Sequence, residues 1–316
     1  MHHRILLRAA ATLLLVLSAL TGWSTAAAAN CTAAQRAVAD AQLWLSPSDQ
    51  AASIAAHLPW GVPRPTGPTT NERMLVQRDY VIRYDSDLRV PLWTAERVDS
   101  ARLGAVDRED CFRRDPRLPI ADASAPSDYD EPIYDQGHMA PFANQSTSAI
   151  AGHNSFIMSN MAPQTCQFNR GIWQILEGIT RLWAAENGTV FVFSGSVFDR
   201  DGNRARDPDT AAQRMLARNG TSRVAIPSHF YKVIALRRAS GPVETLSIMM
   251  PHDNANPDGP AALRYLQAHV TTIAAIERVA GIDLFPGTTG IREAGTVWPF
   301  QGTQPRSLCN VGRTTS

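Results

Sequence analysis

The sequence predicts an α+β fold, on three observations. Short apolar runs at 80–84, 90–96, 189–193, 230–236 and 245–250 read as strands. Three longer stretches, 33–45, 169–187 and 261–279, carry helical patterns. No linker rich in Pro, Gly or charge clearly divides the chain after its leader.

The elements follow in order. Arg4 and Arg8 precede an apolar run, Leu13 to Leu20, and the small residues Ala26 to Ala29. This is the pattern of a secretory signal peptide, residues 1–29, cleaved after Ala29. Asn30 stands before Cys31, where a lipoprotein would need a small residue, so no membrane anchor is expected. Residues 30–316 are then a single domain, with an N-terminal extension over 30–60. Ala33 to Leu45 looks helical, and the Pro/Gly cluster from Pro59 to Pro68 reads as a loop. Tyr80 to Tyr84 and Val90 to Glu96 are expected strands, joined by a turn at Asp85-Ser86-Asp87. Residues 113–132, rich in Asp and Pro, read as an irregular surface segment.

Asn154 to Met158 reads as a short strand. From Asn169 onward Ile172, Leu176, Ile179 and Trp183 recur at spacings of 4, 3 and 4, the period of a helix with one buried face. Asn187-Gly188 stops it. Thr189 to Phe193 is an apolar strand. Residues 199–222 hold Asp-Gly-Asn and Asp-Pro turns and read as an exposed insertion. Phe230 to Leu236 and Thr245 to Met250 are further strands, and Ala261 to Val279 a helix stopped at Gly281.

Composition bounds the function. With 44% hydrophobic and 19% charged residues the 316-residue chain is globular. The leader holds two arginines and no acid, leaving 28 basic against 29 acidic residues, a net charge of −1. A protein that coats DNA electrostatically is far more basic; an enzyme that must release its product need not be. Lys232 is the one lysine among 30 basic residues. Four cysteines, Cys31, Cys111, Cys166 and Cys309, are even in number, which after export suggests two disulfides. No Cys or His spacing points to zinc.

The chemistry concentrates between Tyr134 and Glu177. Asp135-Gln136-Gly137-His138-Met139-Ala140-Pro141 is followed by Ser159-Asn160-Met161-Ala162-Pro163-Gln164, then by Asn169-Arg170-Gly171-Ile172-Trp173 and Glu177. Histidine is the natural base near neutral pH. Gly137 beside it permits a tight or unusual backbone. In a continuous helix Asn169 and Glu177, eight residues apart, are offset by roughly 80° and can border one site, with Trp173 packed beneath. An amide oxygen and a carboxylate suit a hard cation such as Mg²⁺. Each residue also has a plainer reading taken singly: His138 as structural, Asn169 as a helix N-cap, Glu177 as exposed, Asn160 as a turn former. His153, His229 and His252 need no catalytic role.

Taken together, these motifs resemble the DNA/RNA non-specific endonucleases of the ββα-metal superfamily, the group that includes endonuclease G. The family signature runs Asp-Arg-Gly-His-apolar-Ala-Pro, then Ser-Asn-x-x-Pro-Gln, then Asn-x-Gly-x-Trp with Glu four residues after the Trp. The likeness extends from about Gly61 to about Val279. It implies a central antiparallel sheet flanked by helices, with the site on a β-hairpin-plus-helix unit. It implies His138 as general base and Asn169 as the sole protein ligand of the metal. Glu177 then orients water at that metal, and Arg108, followed by Phe112 and Asp115, contacts the phosphate. Asp135 and Asn160 match supporting positions. Gln136 departs from the family Arg; it and Arg170 are the expected substrate contacts, Arg170 as a substitute for the missing charge.

The implied cofactor is Mg²⁺, with Mn²⁺ or another divalent cation as alternatives. The implied substrates are DNA and RNA, hydrolysed to 5′-phosphate ends by a secreted or periplasmic enzyme. Two other readings stay open: a phosphodiesterase of this fold acting on a different substrate, and a catalytically inactive nucleic-acid-binding envelope protein. If Arg108 and Asn169 face one phosphate, Cys111 and Cys166 should lie close. The pairing expected is therefore Cys111–Cys166 with Cys31–Cys309, the other two pairings staying open because sequence alone does not fix connectivity. The sequence leaves oligomeric state and any inhibitor partner open.

Overall fold

The computed structural model describes residues 29–69, 71–216, 222–238, 241–293, 298–300 and 309. Of the expected leader only Ala29 falls among them. Its architecture is the expected α+β, an eight-stranded sheet with helices packed against it.

The first helices are α1 (Ala33–Ala41) and α2 (Pro47–His57). Thr32 caps α1 through a reciprocal bond pair with Gln35, and Ser46 caps α2 with Pro47 in its first turn. The Ser46-Pro47 signal for α2 was readable, but the Ala-rich stretch after it shows no strong period. Next come β1 (Glu72–Val76), β2 (Val81–Asp85) and β3 (Val90–Asp99). The two-strand unit is β4 (Tyr134–His138) with β5 (Met161–Thr165), separated by α3 (Ala149–Ser155). Helix α4 (Gln174–Asn187), β6 (Thr189–Val197), β7 (His229–Leu236) and β8 (Val243–Pro251) follow. Then come α5 (Gly259–Ala268), β9 (Val270–Thr271), α6 (Ile273–Ala280) and β10 (Ile291–Glu293).

The sheet order is β9-β8-β7-β6-β3-β2-β1, with β10 beside β8. Every pairing is antiparallel except β8 with β10. The central strands β3, β6 and β7 are buried along almost their whole length, which explains why they read as apolar runs without alternation. Helix α4 lays Leu176, Ile179 and Trp183 on the core, the face its periodicity predicts.

Several expectations are corrected. Residues 154–158 are not a strand: Ser148 caps α3, which runs to Ser155. Every residue from Ala151 to Ser155 is buried, so the stretch lacks the polar face that would mark a helix. The helix expected over 261–279 is two helices broken by β9, where Thr272 caps α6 afresh; Gly281 ends α6 with a left-handed φ of 69°. Within the expected insertion 199–222, the described residues 199–216 and 222 are irregular apart from a single helical turn at Asp209–Ala211, and they are not wholly exposed. Met215 is buried, and Arg206 reaches back to Asp85 at 3.3 Å.

The disulfides join Cys31 to Cys111 and Cys166 to Cys309, with Cα separations of 5.1 and 5.5 Å, so the expected pairing is wrong. The cause is local. Ala29 and Asn30 run parallel to Glu109 and Asp110, and the Cys31 amide donates to the Asp110 carbonyl at 2.9 Å, which sets Cys31 against Cys111.

Candidate active site

The sequence between β3 and β4 brings Arg108, Asp110 and Phe112 to one wall of a 520 Å³ cleft. Strand β4 supplies Asp135, Gln136 and His138, and the turn before α4 supplies Asn169 and Arg170. The first two turns of α4 supply Gln174, Glu177 and Arg181. The structure therefore brings together seven of the expected residues: Arg108, Asp135, Gln136, His138, Asn169, Arg170 and Glu177. Asn160 lies behind them.

His138 is fixed from the backbone outward. The buried Asn160 accepts from the Ala140 amide at 2.9 Å and donates to the Ala140 and Ser155 carbonyls at 2.8 Å each. Its own carbonyl accepts from the Met139 amide at 3.0 Å. Trp173 Nε1 donates to the His138 carbonyl at 3.1 Å. The peptide on either side of His138 is thus pinned to β5 and to the start of α4. Its ring packs edge-on to Phe156 at 4.8 Å between centroids, with Phe112 at 5.9 Å. Arg108 lies over Phe156 at 5.0 Å from the centroid and donates to Asp110 at 2.7 Å. Burial, then the charge of Arg108, pushes the His138 pKa down to about 3, so the imidazole is neutral at pH 7. Its Nε2 is buried without a partner among the described residues.

Gly137 has a different reason from the one expected. It lies in regular β4, opposite Ala162, without a positive φ. A Cβ there would stand 2.6 Å from Gln164 Cγ and nearer still to its Cδ and Oε1. Glycine is needed for close approach, not for an unusual turn.

Asn169 is neither an N-cap nor part of regular helix. It sits in a wide turn, Phe168–Trp173, kinked at Gly171 (φ −109°, ψ −111°). The 80° offset worked for a continuous helix does not apply, although Asn169 and Glu177 still share the cleft. Asn169 Nδ2 donates to Asp135 Oδ2 at 3.1 Å, which fixes the amide and leaves its oxygen as the free acceptor. Asp135 also takes a bidentate pair from Arg170, both bonds 2.8 Å. Arg170 is thus held at the cleft by Asp135, as Arg108 is by Asp110.

Beneath the cleft is a buried ionic group that sequence reasoning missed. The sole lysine, Lys232 on β7, is 1% exposed. It donates to Ser194 at 2.6 Å and stands 4.3 Å from the centre of the Trp173 ring. It faces Glu177 and Glu96 electrostatically. Burial raises the Glu177 pKa, opposed by Lys232, Arg181 and Arg108. Glu96 accepts from Asn144 at 2.8 Å and Gln145 at 2.6 Å, and burial pushes its pKa up to about 7. Arg181 is the other omission. It follows Glu177 by four residues on the same helix face, a spacing that was available in the sequence.

The remaining named residues have structural partners. His153 bonds Glu109 at 2.6 Å, bracing the segment that carries Arg108. Burial raises the Asp115 carboxyl, but the ion pair with Arg117 at 2.6 Å and a bond from Ser159 outweigh it and hold the pKa low. His252 joins the Thr165 amide at 2.9 Å to the Pro227 carbonyl at 2.9 Å, tying the end of β5 to the sheet.

A profile of the family described as DNA/RNA non-specific endonuclease matches residues 63–290, most of the chain. The chain belongs to the DNA/RNA non-specific endonuclease family. It is accordingly an endonuclease, a hydrolase. It is 31% identical over 215 residues to endonuclease G, mitochondrial, from Homo sapiens, covering 66% of this chain and 68% of that one. It is 31% identical over 227 residues to nuclease C1 from Cunninghamella echinulata var. echinulata, covering 69% and 84%. A nuclease from Nostoc sp. is 33% identical over 147 residues, covering 45% and 54%. The family match begins before β1 and ends after α6, so it takes in the whole ββα unit and most of the sheet. Helices α1 and α2 precede it, and Cys31 lies in that preceding segment.

Proposed function

We propose that this endonuclease is secreted, depends on Mg²⁺, and cleaves DNA and RNA with little sequence specificity, using His138 as general base. The observation that carries the reading is the meeting of a neutral imidazole, a guanidinium, a fixed amide oxygen and a buried carboxylate in one cleft. The donor set fits a hard divalent cation: Asn169 offers its oxygen because its nitrogen is held by Asp135, and Glu177 adds a carboxylate. When bound, the cation neutralises charge on the phosphate and the departing oxygen.

The chain's own residues do the rest. His138 accepts the proton of the attacking water, for which it must be neutral, as burial and Arg108 make it. An incoming phosphate offsets the Arg108 charge and so relieves the smaller of the two causes that lower the imidazole pKa, burial being the larger. Arg108 contacts the phosphate and counters the charge that builds in the transition state. Glu177 orders water near Asn169. Arg181 and Gln136 line the path of the backbone, and contacts of this kind carry no sequence information. Asp135 and Asn160 hold Asn169 and His138 in place. Export follows from the leader pattern and suits the two disulfides; among the described residues no helix is long and apolar enough to cross a membrane.

The test is digestion of plasmid, RNA and a small phosphodiester with and without EDTA, beside folded His138→Ala. Activity on the two polymers should vanish with EDTA and fall about 10²–10⁴-fold in the variant. Unchanged turnover in His138→Ala would remove the base assignment. A preference for the small ester would overturn the substrate reading.

A further inference from the structure

We propose that the loop after β6 is a second, structural metal site that binds Ca²⁺ through Asp199, Asp201 and Asp207. The loop reads Asp199-Arg-Asp201-Gly-Asn203-Arg-Ala205-Arg-Asp207. Oxygen-bearing side chains stand at alternate positions, with only the backbone carbonyl of Ala205 in the remaining slot. That alternation is how a short loop wraps oxygen donors around one calcium ion. The fold closes the loop: carboxylate oxygens of Asp199, Asp201 and Asp207 all lie within 4.8 Å of one another. Oxygens sharing one Ca²⁺ at about 2.3–2.6 Å can stand up to roughly 4.6–5.2 Å apart, so the spacing fits that ion.

An acidic loop alone would be unremarkable on a protein surface; the state of Asp199 sets this one apart. Asp199 is 6% exposed, and its Oδ1 is buried with no hydrogen-bond partner among the described residues, while Oδ2 accepts from the Arg204 amide at 3.2 Å. A buried carboxylate oxygen without a proton donor is costly unless a cation meets it. No arginine does so. Arg200, Arg204 and Arg206 alternate with the three acids, yet among the described residues no ion pair joins them. Arg206 turns to Asp85 and Asp209 at 3.3 and 2.9 Å, and Arg200 donates to Gln213 at 2.5 Å. His229 senses the Asp199 charge, but burial lowers its pKa and leaves it neutral at pH 7. Asp199 also borders a 400 Å³ cavity, shared with His229, Arg204 and Arg278.

Three carboxylates in an irregular loop favour Ca²⁺ over Mg²⁺, which dehydrates reluctantly and demands near-ideal octahedral geometry. The role is to stiffen the connection from β6 to β7. Asp199 N donates to Ser228 Oγ at 2.9 Å, so the ion would clamp both ends of that connection. None of these residues lines the catalytic cleft.

The test is calorimetric titration of the full mature chain with CaCl₂ in an Asn169→Ala background, with thermal midpoints alongside. One Ca²⁺ should bind per chain. At a hundredfold excess over Kd the midpoint should rise by roughly 5 °C, and by clearly less with MgCl₂. Adding Asp201→Asn and Asp207→Asn, both at positions with solvent access, should weaken binding at least tenfold. If that variant fails to fold, Asp201→Asn alone gives the same comparison at an exposed position. No Ca²⁺ uptake in Asn169→Ala, uptake unchanged by the loop variants, or an equal response to Mg²⁺ would each overturn the proposal.

Discussion

Gly137→Ala tests whether the site is positioned by packing at a single methyl group. The new Cβ would stand 2.6 Å from Gln164 Cγ, where carbon atoms prefer about 3.5–4.0 Å. Something must move by about 1 Å. Gln164 cannot swing into solvent, because it is wholly buried. Overpacking of this kind costs about 1–3 kcal/mol, which lowers the thermal midpoint by roughly 3–10 °C in a chain of this size. The kinetic effect should be larger than the stability effect. Bonds from Met139, Ala140 and Trp173 pin the chain directly after Gly137, so displacement of β4 falls on His138. A shift near 1 Å at a reacting group costs about 10²-fold. The assay is kcat and KM on plasmid DNA with a melting curve, for Gly137→Ala, Gln164→Ala and the double variant. The double variant should match Gln164→Ala, since the obstacle is gone. If Gly137→Ala costs as much in the Gln164→Ala background as in wild type, the clash is not the cause.

Further outcomes follow from the same geometry. In a kcat/KM profile against pH, the acid limb should lie below pH 6.5, because burial and Arg108 lower the His138 pKa. Arg108→Gln removes one of those causes and should move the limb upward; a limb that stays fixed would disprove the coupling. Lys232→Met removes the cation between two buried carboxyls and should cost about 3–5 kcal/mol. That loss should shrink below pH 7, where Glu96 takes up a proton, and thermal melts at pH 5.5 and 8.5 will read it. Gln136→Arg should raise activity or leave it unchanged on DNA and RNA, while a large fall would give Gln136 a role of its own. Cys31→Ser with Cys111→Ser opens a link of 80 residues, worth about 4.5 kcal/mol in the chain-entropy account, and should raise KM by loosening the Arg108 segment. A denaturation midpoint equal to wild type would refute that estimate.

The fold was legible where burial is one-sided or complete over a long run. Helix α4 announced itself through Leu176, Ile179 and Trp183, and the central strands through unbroken apolar stretches. It was illegible where both faces of a short helix are buried, as over Ala151 to Ser155, because periodicity then carries no phase. The break between α5 and α6 was hidden for a related reason. Thr272 is an ordinary helix residue until its hydroxyl is seen capping the Ala275 amide.

The site divides along the same line. Residues that face the cleft stand in compact motifs, so Arg108, His138, Asn169 and Glu177 could be named from spacing and resemblance. The buried charges behind them, Glu96 and Lys232, come from remote strands and leave no local pattern. Lys232 lies 55 positions after Glu177 and stands out in the sequence only as the single lysine of an arginine-rich chain. Its burial turns that compositional oddity into a constraint. A guanidinium is larger and keeps five donors to satisfy, whereas an ammonium needs only three, and Ser194 with the Trp173 ring meets part of that demand. The disulfide error has the same origin. The inference that Arg108 must be tethered near Asn169 assumed a direct link. The fold instead fastens the segment carrying Arg108 to the N-terminal segment through Cys31–Cys111, and Arg108, Asp110 and Phe112 of that segment line the cleft. Arg108 reached the expected place by a route that only three-dimensional pairing reveals.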